Sequence, residues 1–131
     1  MENFCRKLAI PCHTYHRDIP KLAREWKCSG EEAGRRARYE AFEEVRSKNG
    51  GTKIAVAHNR NDQAETVLFH LVRGSGLSGL SGIRPVRGNI IRPLLCLTRE
   101  EIEDLLRKEN LPFRTDATNL ETDYARNRIR L

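Results

Sequence analysis

The chain has 131 residues, the size of one ordinary domain, and contains no apolar run of the roughly 20 residues that a membrane-spanning helix needs. Charged residues make up 32% of it, but Val, Ile, Leu and Phe recur at regular spacings, which indicates a folded protein rather than a disordered one. Lys and Arg outnumber Asp and Glu by 24 to 18, and the resulting net charge of +6 attracts polyanions. Residues 1–11 carry no signal-peptide pattern, so we expect a cytoplasmic protein that does not enter membranes.

The four cysteines have neither CxxC pairing nor a histidine at zinc-finger spacing. We therefore predict free thiols and neither a metal site nor a disulfide framework; the cysteines are Cys5, Cys12, Cys28 and Cys96. No Ser-His-Asp or Cys-His arrangement can be read from the sequence, so a hydrolase with a covalent intermediate is not indicated.

The first half of the chain predicts mainly helix. Residues 2–9 look like the end of a helix that Pro11 stops, and residues 13–16 alternate partly, as a short strand does. Ser29 with a glutamate three residues later forms a capping-box pattern, and alanines at helical spacing follow, which predicts a helix over residues 30–48. Arg35, Arg36 and Arg38 cluster on this helix, either as an anion-binding group or as a solvated face.

The second half alternates between strand and helix patterns. Residues 53–57 (KIAVA) read as a buried strand, and a helix should begin near Asp62. Residues 89–95 read as a strand or extended segment, and Thr98 with Glu101 predicts the start of a last helix that ends near residues 110–112. The alternation predicts an α/β fold, with a parallel sheet flanked by helices.

The strongest local feature is HNRNDQAET, the segment of residues 58–66, at the point where a strand passes into a helix. Ligands bind at this end of the strands in open α/β sheets, and free N–H groups at a helix start suit a phosphate. Asp62 and Glu65 should project together, one turn apart, where they could hold magnesium or orient an amine. A structural alternative stays open, in which Asp62 and Glu65 are a capping pair and His58 satisfies the strand end.

A glycine-rich stretch, GSGLSGLSG, follows this helix. Gly74, Gly76 and Gly79 match GxGxxG, but the stretch follows a helix instead of a strand, so the context of a dinucleotide-binding fingerprint is missing. The glycines either let the backbone approach a ligand closely or form an ordinary flexible loop. Near the C-terminus, Arg126 and Arg130 lie one helical turn apart, where they could grip phosphates or solubilise a helix end.

Taken together, HNRNDQAET, RGSGLSGLSGI, IIRPLL and the spaced Asp116, Asn119 and RNRIR resemble, in order and spacing, the signature of tRNA(Ile)-lysidine synthetases. EEAGRRARY also resembles the arginine-bearing helix of that family. The resemblance implies a Rossmann-like domain of the adenine-nucleotide alpha-hydrolase type in the PP-loop ATP pyrophosphatase superfamily. It implies ATP and Mg²⁺ as cofactors, and L-lysine and an isoleucine tRNA with a CAU anticodon as substrates. Family members adenylate the wobble cytidine, release pyrophosphate, and let the lysine ε-amine displace AMP.

The resemblance also implies roles for individual residues. It places Asp62, Glu65 and His58 around the lysine or a magnesium ion, with Asp62 as the metal ligand. Arg35 and Arg38 would neutralise phosphate charge during the transfer. The residues implied on the cytidine and substrate side are Gly74, Gly76, Arg92, Asp116 and Asn119. Those implied to contact tRNA are Arg126, Arg128 and Arg130.

One departure from the family pattern concerns the SGGxDS loop that cradles ATP phosphates, because this sequence contains no such loop. We therefore expect residues 1–131 to be a fragment, the C-terminal portion of the catalytic domain, that alone neither binds ATP tightly nor catalyses. Sheet surface left uncovered could drive self-association. Two alternatives stay open: a tRNA thiolase of the same superfamily, which the scattered cysteines disfavour, and a non-catalytic RNA-binding module.

Overall fold

The computed structural model describes residues 2–74 and 80–113. The chain forms two compact units, residues 1–54 and residues 55–131, and each is considered by itself. Within the described residues, no helix is long and apolar enough to cross a membrane. Cys5, Cys12, Cys28 and Cys96 are free thiols, as the sequence predicted.

The first unit contains three helices, α1 (Glu2–Lys7), α2 (Ile19–Trp26) and α3 (Gly30–Lys48). The predicted bounds of α3 are confirmed, and Ser29 caps it by accepting a hydrogen bond from the Glu32 amide at 3.1 Å. The sequence did not predict α2, which begins after an Asp18 cap and has a proline in its first turn. The strand predicted for residues 13–16 is wrong, because that stretch has no ladder partner among the described residues.

Small residues let α2 and α3 pack closely in the first unit. Ala33 and Ala37 are the buried apolar residues of the described chain, with 0% and 4% of their surface exposed. A Cβ atom on Gly34 would lie 3.8 Å from the Ile19 side chain, so the two helices meet at ordinary contact distance there. Arg36 of α3 also lies over the ring of Trp26 in α2, 4.2 Å from its centre.

The described residues of the second unit form short strands and two helices. Its elements are β1 (Ile54–Ala55, at the boundary with the first unit), α4 (Arg60–Val72), β2 (Val86–Arg87), β3 (Ile90–Ile91) and α5 (Arg99–Lys108). The sheet has the order β1-β3-β2. The Val56 amide donates to the Ile91 carbonyl at 2.9 Å and so ties the chain after β1 to β3. The predicted combination of helices with a sheet is confirmed, although each strand is only two residues long.

The sequence did not predict the hairpin between β2 and β3. These strands pair antiparallel, with Val86 opposite Ile91 and Arg87 opposite Ile90. Gly88 turns the chain with a φ of 59°, a left-handed conformation that glycine adopts without steric cost. The residues before Gly88 do not alternate regularly between polar and apolar, so they gave no signal for β2. The sequence therefore predicted only β3, within residues 89–95.

The start of α5 is as the sequence predicted, and its end lies two residues before the predicted residues 110–112. Thr98 accepts from the Glu101 amide at 3.1 Å, and the Glu101 carboxylate accepts from the Thr98 amide at 2.6 Å, which closes the predicted capping box. The hydrogen bond from the Thr98 backbone lowers the pKa of Glu101 below its ordinary value. The helix ends at Lys108, and Asn110 then takes a left-handed conformation with a φ of 52°.

The apolar residues that share one face of α4 are not its buried residues. Leu68, Leu71 and Val72 are 46%, 51% and 80% exposed, whereas Glu65 is 8% exposed. A helical pattern shows which residues share a face, but packing decides which face is covered. In the described part of the second unit, the side of α4 that carries Glu65 is covered instead.

Candidate functional site

The start of α4 is closed by a capping box that involves Asp62. The Asn59 side chain accepts from the Asp62 amide at 3.1 Å, and the Asp62 Oδ2 atom accepts from the Asn59 amide at 2.9 Å. The predicted pairing of Asp62 with Glu65 as caps is therefore wrong, because the helix begins two residues earlier than the sequence suggested. Asp62 is half-buried, and one of its two carboxylate oxygens is engaged in the cap.

This arrangement uses most of the amides that a phosphate would need. The Arg60 amide donates to the Leu97 carbonyl at 2.8 Å, and the Asp62 amide donates to Asn59. In the first turn of α4, the amide of Asn61 therefore has no hydrogen-bond partner among the described residues. Of the free N–H groups predicted at this helix start, those of Arg60 and Asp62 are therefore satisfied by neighbouring residues.

Further side chains of the HNRNDQAET segment connect α4 to the rest of its unit. The Arg60 guanidinium donates to the Cys96 carbonyl. The Asn61 Oδ1 atom accepts from the amide of Arg99 at 3.0 Å and so satisfies a free N–H group at the start of α5. The Gln63 Oε1 atom accepts from the Ile83 amide. Much of this segment therefore holds the second unit together.

His58 and Arg92 form a hydrogen-bonded pair in the second unit. Arg92 Nε donates to His58 Nδ1 at 3.1 Å, and Arg92 Nη1 donates to the Arg84 carbonyl at 2.7 Å. Arg92 is only 7% exposed, and its own amide donates to the Pro85 carbonyl at 2.9 Å. Arg92, expected to contact the substrate, is thus a buried residue whose hydrogen bonds go to the protein.

The two carboxylates expected to act together differ in environment. Asp62 lies in the first turn of α4 and is partly accessible, whereas Glu65 is buried one turn later. Among the described residues, no group of three or more His, Cys, Asp or Glu side chains could hold a metal ion. Magnesium in nucleotide enzymes is commonly held by one or two carboxylates together with substrate phosphates and water. The second oxygen of Asp62 fits that kind of site.

The arginines of α3 have different surroundings within the first unit. Arg36 donates to Glu40 at 3.0 Å, and Arg35 lies 5.4 Å from the centre of the Tyr39 ring. Arg38 is exposed and has no hydrogen-bond or ion-pair partner in the described part of the chain. Of Arg35 and Arg38, the latter is therefore better placed to receive an anion.

Arg38 also lines a cavity of about 390 Å³ in the first unit. His13, Tyr15 and Arg17 line the cavity with it, and Arg17 lies 3.8 Å from Glu44. The remaining lining residues are small or apolar: Ile19, Gly34, Ala37, Ala41, Phe42 and Val45. The cavity thus combines an apolar wall with basic side chains, which suits a ligand that has both an apolar part and a negative charge.

The other predicted site residues divide into two sets. Gly74 follows α4 with a φ of 69°, and its amide donates to the Leu71 carbonyl at 3.0 Å, so it ends the helix. The rest lie outside the described residues: Gly76, Asp116, Asn119, Arg126, Arg128 and Arg130. Their roles stay predictions.

Comparison with known proteins assigns the family. The sequence profile of the PP-loop domain matches residues 1–131. The chain belongs to the PP-loop family. The fold of this family is the adenine-nucleotide alpha-hydrolase fold. The described residues contain both helices and strands, as that fold does.

Named relatives are similar over the full length of the chain. The tRNA(Ile)-lysidine synthase of Caldanaerobacter subterraneus subsp. tengcongensis is 53% identical over 131 residues, which cover 100% of this chain and 28% of the relative. The enzyme of the same name from Clostridium acetobutylicum is 51% identical over 132 residues, covering 100% and 29%. That of Bacteroides thetaiotaomicron is 46% identical, covering 100% and 31%. The chain thus spans less than a third of the length of these curated relatives.

Proposed function

We propose that this PP-loop chain is part of a tRNA(Ile)-lysidine synthase. The observation that carries the proposal is the identity of about half of all positions, over the whole chain, with proteins of that name. The proposed protein uses ATP to adenylate the wobble cytidine of a tRNA(Ile) with a CAU anticodon and then joins L-lysine to it. Residues 1–131 would form the C-terminal portion of its catalytic domain, and a tRNA substrate would place it in the cytoplasm.

The reaction requires two displacements. In the first, the C2 oxygen of the cytidine attacks the α-phosphorus of ATP, and pyrophosphate leaves. In the second, the lysine ε-nitrogen attacks C2, loses a proton, and AMP leaves with the oxygen. Magnesium, when bound, would neutralise charge on the phosphates. The groups of this chain must therefore bind phosphate, orient an amine and accept its proton.

Asp62 and Arg38 are the side chains best suited to these tasks. The second carboxylate oxygen of Asp62 could bind magnesium or accept a hydrogen bond from the lysine ammonium group, while the first oxygen holds the helix cap. Arg38 is exposed beside the cavity of the first unit and is proposed to bind a phosphate. Glu65 and His58 are proposed to act near Asp62 because they lie on the same segment of the chain.

The C-terminal arginines are proposed to bind the tRNA backbone. Arg126, Arg128 and Arg130 contribute to the net charge of +6, and binding through phosphates weakens steeply as salt rises. Their replacement should raise the KM for tRNA more than it lowers kcat, because backbone contacts act in binding.

The proposed activity is tested by incorporation of labelled lysine into a tRNA(Ile) transcript with a CAU anticodon, in the presence of ATP and Mg²⁺. The assay compares this chain with an extended protein, in which both ends are lengthened to the size of the relatives. We expect incorporation by the extended protein and none by this chain. A transcript with a GAU anticodon is the matched control. Failure of the extended protein on both transcripts would favour a thiolase or an RNA-binding module.

We also propose that the second unit self-associates through α4, whose exposed apolar residues Leu68, Leu71 and Val72 form a continuous face. The apparent mass of the chain in sedimentation should rise with concentration, and Leu71→Lys should reduce that rise. Leu105 on α5 is 55% exposed, close to the 51% of Leu71, so Leu105→Lys is a matched control. Equal effects of the two replacements would contradict association through α4.

A further inference from the structure

The hydrogen bond between Arg92 and His58 determines which ring nitrogen of His58 carries the proton. A guanidinium Nε always bears hydrogen and has no acceptor site. Arg92 Nε lies 3.1 Å from His58 Nδ1, so Nδ1 must be the acceptor and must be unprotonated. A neutral imidazole with an unprotonated Nδ1 carries its proton on Nε2.

Further contacts hold the guanidinium of Arg92 in the orientation that directs its Nε–H group to His58. Its Nη1 atom donates to the Arg84 carbonyl at 2.7 Å, and the side chain is almost fully buried. The guanidinium is planar, so these two bonds fix its orientation. A doubly protonated His58 would set an N–H group against the Nε–H group and a second cation beside a buried one, which is unfavourable.

We propose that Arg92 is a positioning residue that holds His58 as the neutral tautomer protonated on Nε2. Nε2 is then the donor nitrogen of the His58 ring, and its hydrogen-bond partner is an oxygen acceptor. In this state His58 does not serve as a general base through Nδ1. The inference rests on the proposed function only in treating His58 as a site residue.

Nitrogen-detected NMR of the histidine rings tests the tautomer directly. In the unaltered chain at mildly alkaline pH, the His58 Nδ1 signal should be that of an unprotonated nitrogen and the Nε2 signal that of a protonated one. The four histidines are distinguished by the signals that disappear in His58→Gln. A proton on Nδ1, on both nitrogens, or rapidly exchanging between them would overturn the proposal.

Comparison of two variants, each of which lacks one arginine charge, tests whether Arg92 sets the tautomer of His58. Arg92→Met removes the donor to Nδ1 and should produce a mixture of tautomers. Arg84→Met removes an exposed guanidinium but keeps the Arg84 carbonyl, so the His58 signals should stay unchanged. An unchanged tautomer in folded Arg92→Met would show that Arg92 does not set it. If Arg92→Met fails to fold, a nitrogen–nitrogen coupling across the bond between Arg92 Nε and His58 Nδ1 in the unaltered chain shows that Arg92 is the donor, and its absence would overturn the proposal.

The failure of this inference can be told apart from failure of the proposed function. The NMR experiment uses the present chain without ATP, lysine or tRNA, so an extended protein that lacks lysidine synthesis would leave its result intact. In an active extended protein, His58→Gln should retain at least 10-fold more kcat than His58→Asn, because the Gln amide nitrogen can reach the Nε2 position as a donor. Equal kcat values would contradict the donor role.

Discussion

Replacing Asp62 by asparagine in the extended protein should lower the kcat for lysine incorporation by about 100-fold or more while leaving the fold intact. The Asn side-chain oxygen can still accept from the Asn59 amide, which lies 2.9 Å from Asp62 Oδ2, so the capping box survives. What the replacement removes is the negative charge on the second oxygen. Lysine incorporation and the free energy of unfolding, measured on the same preparation, separate the two contributions.

Two further variants complete this test of Asp62. Asp62→Ala removes both the charge and the cap, so it should lose activity and also about 1 kcal/mol of stability. Asp104→Asn is a matched control, because Asp104 is exposed on α5 and pairs only with Arg107 among the described residues, at 2.7 Å. Full activity in Asp62→Asn, with lower stability in Asp62→Ala, would reduce Asp62 to a helix cap.

The elements that the sequence predicted best are those fixed by local signals. For α3, the cap at Ser29 and alanines at helical spacing determine both its start and its buried side. For α5, the Thr98 and Glu101 box is contained within four residues. The eight-residue helix α2 was missed because a short helix with a proline in its first turn offers few repeats of the helical period. The two-residue strand β2 is too short for a period-2 pattern, whereas β3 lies within the extended segment predicted for residues 89–95.

In the candidate site, too, the contacts between residues close in sequence could be predicted, and those between distant residues could not. The pair Asn59 and Asp62 has capping-box spacing, so this role of Asp62 could have been read from the sequence. The bonds from Arg92 to His58 and from Arg99 to Asn61 join residues 34 and 38 positions apart. No sequence period reports contacts at such separations. The buried role of Arg92 therefore became visible only in the folded chain.

Gly82→Ala should be the most destabilising Gly-to-Ala change among the described glycines of the second unit. Gly82 has a φ of 57°, and a Cβ atom there would lie 2.6 Å from Nε2 of Gln63. A flexible side chain could ordinarily move away, but Gln63 accepts a hydrogen bond from the Ile83 amide and would lose it by moving. We expect a cost of about 1–2 kcal/mol for the left-handed conformation and a further cost of about 1–3 kcal/mol for the clash.

Gly88→Ala separates the two costs, because Gly88 has a φ of 59° and nothing lies within 4 Å of an added Cβ atom. In urea unfolding, Gly88→Ala should lose only the conformational part, so the difference between the two variants measures the clash. Adding Gln63→Ala to Gly82→Ala removes the obstructing side chain, and the double variant should be less destabilised than the sum of the two single variants. Equal losses in Gly82→Ala and Gly88→Ala would show that Gln63 moves freely, and its bond to Ile83 would then contribute little to holding α4 in place.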